Sequence, residues 1–188
     1  VKKYVVSSIL ARLKKRKLKH LSYAVVANYA PDTSYNGKSI EQINLMKGRK
    51  HKAKLEAETV IDLMMNGGAS AVFHGMSEED VKRIMQYPFN MIASDASIRV
   101  LGAGMPHPRG YGTNARVLAK YVREEKVISL EEAIRRMTSL PAQKFQLKDR
   151  GLLREGMAAD IVIFDEKEVK DISTFEKPHA YSKGFHFV

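Results

Sequence analysis

The sequence predicts an α/β fold in which a parallel sheet is covered by helices. Two observations carry that expectation. Strand and helix candidates alternate three times along the chain, and the strand candidates are short and apolar on both faces. Strands of that kind are buried on both sides, as they are in parallel sheets flanked by helices.

The elements follow in order. Residues 1–20 hold eight Lys/Arg and no acid, with Ile9, Leu10, Leu13 and Leu18 spaced to turn inward from a helix. "YAVVAN", residues 23–28, is a strand candidate ended by Pro31-Asp32, and "PDTSYNGKSI" is a loop with a tight turn at Asn36-Gly37. Residues 52–65 form a broad apolar helical face, stopped by Gly67-Gly68. "SAVFHG", residues 70–75, is the next strand. Ser77 and Asp80 then have capping-box spacing for a helix that stops near Pro88. "FNMIAS" reads as a strand ending on Asp95. Thr113 or Asn114 can cap a helix through "ARVLAKYVREEK". Ser129 and Glu132 cap "LEEAIRRMTSL", which Pro141 closes. Residues 161–164 give a strand, and the terminal "GFHFV" alternates as a strand does.

Composition narrows the class. Apolar residues make up 44% and charged residues 28% of the 188, ordinary for a globular protein. No apolar run approaches the roughly 18 residues of a membrane span, and no signal peptide is visible. Cysteine is absent, which excludes disulfides and thiolate metal ligands and leads us to expect a cytoplasmic protein. The net charge of +11 sits mostly in "RLKKRKLKH". That segment can meet phosphates, but no aromatic residues interleave it as a platform for bases, so a solvated helix face is expected rather than nucleic-acid binding. The chain opens at Val1 without an initiator methionine and closes within the alternating "GFHFV". Both ends lead us to expect a processed polypeptide or part of a longer one.

In a parallel α/β architecture, chemistry collects at the C-terminal ends of the strands. Asp95 stands at such an end, before a glycine-broken loop carrying His107 and Arg109. Asp95 there can bind a metal, act as a general base, or cap the loop. Arg109 has the rigid fork that clamps a carboxylate in two places, or it can pair with Asp95 across the loop. His107, between Pro106 and Pro108, can orient a ligand or hydrogen-bond its own loop. His74, at another strand end, is open to the same two readings. No His-x-His, His-Glu-x-x-His, Cys-x-x-Cys or phosphate-binding glycine loop occurs anywhere, so no local signature assembles a metal or nucleotide site.

Several blocks nevertheless resemble a known family. "MSEEDVKRIM", "SDASIRVLGAGMPHPRGYGT", "SLEEAIRRMTSLPAQKFQLKDRGLLREGMAADIVIFD" and "TFEKPHAY" look like the C-terminal part of N-acyl-D-amino-acid deacylases. These form the D-aminoacylase family of the metal-dependent amidohydrolases. The resemblance runs from about residue 36 to the end. "HPRGYGT" and "RRMTSLPA" are specific to the family, whereas "LREGMAADIVIFD" is shared more broadly among amidohydrolases.

The resemblance implies a (β/α)8 barrel with a small β-sandwich. Residues 1–145 would supply the last strand–helix units of the barrel, with Asp95 ending its last strand. Residues 146–188 would return to the sandwich. It implies zinc held by histidines, usually with a cysteine contributing, and hydrolysis of the amide of N-acyl-D-amino acids. Asp95 matches the family's aspartate, which touches the metal, takes a proton from the attacking water and passes it to the leaving amine. Arg109 matches an arginine that grips the substrate carboxylate, and His107 belongs to the same motif in an orienting role.

Two departures stand out. Ala96 replaces the glycine that follows the aspartate, and the family's other metal ligands have no counterpart among the 188 residues. The chain alone is therefore expected to be inactive without a missing N-terminal half or a complementary chain. The alternatives are a related amidohydrolase acting on a cyclic amide or a dipeptide, and a non-catalytic fragment with a basic interaction segment.

Overall fold

The computed structural model describes residues 1–188 as a mixed α/β chain. It divides into two compact units. Unit 1 comprises residues 1–75 and 101–107, and unit 2 residues 76–100 and 108–188. No helix is long and apolar enough to cross a membrane.

Unit 1 opens with α1, Lys2–Lys15, which buries Val6 and Leu13 and packs Ile9 and Leu10 partly against the core. The lysines and arginines take the other face, so the basic run is the solvated side of an amphipathic helix. Leu18, expected to point inward, is exposed. Lys17 has adopted a left-handed conformation at φ 55°, which ends the helical path before Leu18 can join the apolar stripe.

β1, Ala24–Asn28, buries alternate residues Ala24 and Val26. A single 3-10 turn at Thr33–Tyr35 follows, capped by the Asp32 carboxylate. Gly37, at φ +80°, then bends the chain so that its N–H donates to Val26 O at 2.8 Å. Two helices come next, α2, Ile40–Met46, and α3, Ala53–Met65. β2, Ser70–Phe73, pairs with β1 antiparallel, Val25 facing Val72. The core of this unit is Leu13, Leu21, Ala24, Val26, Tyr29, Ile40, Ile43 and Leu63. The segment 101–107 is tied to it by Met105 N–H donating to Ala27 O at 2.7 Å.

The antiparallel pair corrects the expected parallel sheet. A single crossover helix returns a strand parallel to its predecessor. Here α2 follows the loop read over residues 31–40, in a stretch for which the sequence suggests no element, so two helices rather than one separate the strands. The signal for α2 is the capping box formed by Ser39 and Gln42, with both reciprocal hydrogen bonds in place.

In unit 2, α4, Glu78–Met85, starts at Ser77, whose hydroxyl accepts from Asp80 N–H. α5, Arg109–Arg116, runs directly into a π-helical segment, Val117–Glu124. This helix starts earlier than Thr113, because Pro108 has a helical φ of −59° and its carbonyl accepts from the N–H groups of Tyr111 and Gly112. α6, Leu130–Met137, is capped by Ser129 as expected. It ends at Thr138, and Pro141 lies inside the first turn of α7, Ser139–Lys144, where its missing N–H costs nothing.

Val117, Leu118, Tyr121 and Val122 of the π segment, with Ala115, Ala133, Met85 and Val169, form the second core. Arg123 donates to the carbonyls of Glu166 and Val169, at 2.6 and 2.9 Å, pinning the helix to the segment between the two strands of the last hairpin. That hairpin pairs β3, Ile163–Phe164, antiparallel with β4, Phe185–Phe187. β3 is shorter than the four residues expected.

No strand forms over residues 89–94, which corrects the reading of "FNMIAS". No strand lies alongside to accept its ladder; instead Ile92 N–H donates to Arg136 O at 3.2 Å, and its side chain packs on the second core.

Candidate functional site

Asp95 sits in the loop of unit 2 with a left-handed backbone, φ 46°. Its carboxylate is 85% exposed, and its Oδ2 lies 2.9 Å from Nη2 of Arg109. Arg109 is the first residue of α5, so its position is set by the Pro108 turn. The backbone of the next residue, Gly110, comes close to the side chains of Ala96 and Arg99, which lays the segment after Asp95 against the start of α5. A carboxylate and a guanidinium are thereby held together by the two ends of one loop.

Tyr111, one turn into α5, ties in the chain's last segment. Its hydroxyl shares a 3.2 Å hydrogen bond with His179 Nδ1, its ring meets Tyr181 edge-on, and its carbonyl accepts from the Ser182 hydroxyl at 3.0 Å. The "HPRGYGT" and "TFEKPHAY" blocks therefore meet in space. The sequence alone gives His179 no role, and nothing in the spacing of the two blocks announces the contact.

The structure thus brings Asp95 and Arg109 together. His107 is half-buried and belongs to unit 1. His74 is exposed, and its N–H extends the β1–β2 ladder by donating to Tyr23 O at 2.8 Å.

Asp95 does not sit among metal donors. The one group of three or more histidines and carboxylates close enough to share an ion is His20, Glu41, His51 and Glu56, all in unit 1. A lone, exposed carboxylate paired to arginine does not fit zinc by itself. Sequence reasoning missed the four-residue group, because its members come from separate segments with no motif spacing.

The arrangement suits acid–base work by Asp95 and carboxylate recognition by Arg109, on an α/β scaffold. The sequence profile of the amidohydrolase family matches residues 30–185, and the chain belongs to that family. Among its relatives are the N-acyl-D-aspartate deacylase of Alcaligenes xylosoxydans xylosoxydans, 42% identical over 120 residues, and the D-aminoacylase of the same organism, 35% identical over 158. Those alignments cover 64% and 84% of this chain, but 24% and 30% of the relatives. The crystal structure of N-acyl-D-glutamate deacylase from Bordetella bronchiseptica superposes with a TM-score of 0.74 at 32% identity, over 92% of this chain and 34% of that one. It was solved with zinc and a phosphonate inhibitor that mimics the tetrahedral intermediate of its reaction. These relatives are hydrolases, and the chain spans about a quarter to a third of their length.

Proposed function

We propose that these residues are the C-terminal part of an N-acyl-D-amino-acid deacylase. In this reading residues 1–145 belong to a (β/α)8 barrel and residues 146–188 return to a small β-sandwich. The observation that carries it is the Asp95–Arg109 pair in the loop that bears "HPRGYGT".

Hydrolysis of an amide needs a water that loses a proton, an acceptor that returns the proton to the leaving nitrogen, and a grip on the substrate. Asp95 takes the proton as the water oxygen bonds to the acyl carbon. It then delivers the proton to the amide nitrogen as the C–N bond breaks, leaving a carboxylic acid and an amine. Arg109 binds the substrate's carboxylate through two parallel N–H donors. In the structure Nη2 of Arg109 faces Oδ2 of Asp95 at 2.9 Å. The incoming carboxylate would replace Asp95 on Arg109 and leave Asp95 free to accept a proton, so that recognition switches on the base. His107 orients the loop. The zinc held by relatives is assigned to donors outside the 188 residues, and no step here is derived through it.

The test is hydrolysis of N-acetyl-D-aspartate and N-acetyl-D-glutamate by the full-length enzyme and its Asp95→Asn variant, with L-amino-acid and cyclic-amide substrates alongside. The reading expects D-selective turnover that Asp95→Asn abolishes while circular dichroism stays unchanged. Turnover retained in Asp95→Asn removes Asp95 from the mechanism, and turnover of the cyclic amide alone removes the substrate class.

A further inference from the structure

His20, Glu41, His51 and Glu56 play no part in the chemistry assigned to Asp95 and Arg109. We propose that they form a separate, structural site for a divalent transition-metal ion of the zinc type.

The geometry starts from Glu56, in the first turn of α3 and fully buried. Its Oε2 accepts the Leu21 N–H at 2.7 Å, which fixes the carboxylate and leaves Oε1 facing the histidines. Oε1 lies 2.6 Å from His20 Nδ1 and 3.9 Å from His51 Nε2. His51 Nε2 also touches the carboxylate of Glu41, in the first turn of α2. The two imidazoles stack with centroids 3.8 Å apart and planes inclined by 19°. One donor atom from each of the four residues falls within 4.8 Å of all the others.

Those separations suit a metal after small adjustments. A tetrahedral zinc ion with bonds of about 2.0–2.2 Å places its donors roughly 3.4 Å apart. The His20–Glu56 contact would open slightly and the His51–Glu56 contact would close. The donor set points the same way. Two carboxyl groups, that of Glu56 fully buried, and two imidazoles converge here, a set of oxygen and nitrogen donors that a divalent cation would satisfy together.

Two nitrogen and two oxygen donors without thiolate favour zinc, cobalt or nickel over magnesium or calcium. Four protein ligands and no open position mark a site that holds structure. It would join the turn after α1, the start of α2 and the start of α3 at one point. The Leu21 N–H bond to Glu56 is the kind of supporting contact that orients a metal ligand.

The probe is zinc itself, titrated into the chelator-stripped 188-residue chain against a chromophoric competitor, with melting temperature read in parallel. One equivalent should bind, and saturation at about a hundredfold over Kd should raise Tm by roughly 5–10 °C. Magnesium should leave Tm unchanged. His51→Ala removes a half-exposed ring, and His20→Ala is the second variant; each should weaken zinc binding about tenfold or more and erase the Tm shift. Asp95→Asn should bind zinc as the parent does. No zinc-dependent Tm shift, or unaltered affinity in both histidine variants, overturns the proposal. Loss of binding in Asp95→Asn with binding kept in His51→Ala would put the zinc at Asp95 and equally overturn it, without touching the deacylase reading.

Discussion

Nη2 of Arg109 and Oδ2 of Asp95 face each other at 2.9 Å across the two ends of one loop. Lysine at position 109 would keep the charge but lose the fork that binds a carboxylate in two places. In the full-length enzyme, Arg109→Lys should lower kcat/KM for N-acyl-D-amino acids roughly tenfold or more. The loss should fall mainly on KM. Steady-state kinetics on charged substrates and their amidated counterparts would check this; an equal loss on both would remove the carboxylate-binding role.

Glu132 is held well below its usual carboxylate range, to about 2, by hydrogen bonds from Arg135 first and Arg136 second. Arg136 itself is buried, with Nε 2.7 Å from Glu132 Oε1 and Nη1 bonded to Met85 O. A folded pKa below the unfolded value of about 4.3 stabilises the protein fully above that pH and loses effect as pH falls towards 2. Glu132→Gln should therefore destabilise by about 2 kcal/mol at pH 7, since it leaves a buried guanidinium without its counter-charge. The gap to the parent should shrink steadily below pH 4.3 in urea melts.

Gly184 precedes β4 with φ +88°, and a Cβ there would meet the backbone of Val169 and Glu168 at 2.5–2.6 Å. Neither the conformation nor the neighbours can yield cheaply. Gly184→Ala should cost about 2 kcal/mol or more and expose the β3–β4 hairpin to limited proteolysis. A parent-like melting curve would mean that the hairpin rearranges freely.

Ser39 caps α2 through its hydroxyl, which accepts from Gln42 N–H at 3.1 Å, while Gln42 Oε1 accepts from Ser39 N–H at 2.8 Å. Ser39→Ala, which removes the bond to its hydroxyl, should cost about 1 kcal/mol by chemical denaturation, and Gln42→Ala, which removes the reciprocal bond, should also destabilise.

The helices were legible wherever a cap met an apolar stripe. Ser77 and Ser129 both start helices where their spacing says, and Gly67-Gly68 stops α3. The short α2 was lost because its seven residues are too few for a clear stripe, although Ser39 and Gln42 marked its start. Strand direction was not legible: apolar residues on both faces of β1 and β2 look the same whether the strands run parallel or antiparallel. Asp95 and Arg109 could be read as partners because one loop carries both. The His20–Glu56 group could not, since residues 36 positions apart meet only once α3 folds against the turn after α1.

The π-helical turn at Val117–Glu124 sets how this helix tolerates changes in length. Its buried residues are Val117, Leu118, Ala119, Tyr121 and Val122, with Val117 and Val122 five apart. A ring closed from residue i to i+5 holds one residue more than an α-helical ring. Deleting one residue there lets the ring close as ordinary α-helix, whereas a deletion within α6 would rotate every later side chain off the core. Gaps between this chain and its relatives can therefore accumulate here, inside a buried helix, a place where alignments ordinarily permit none.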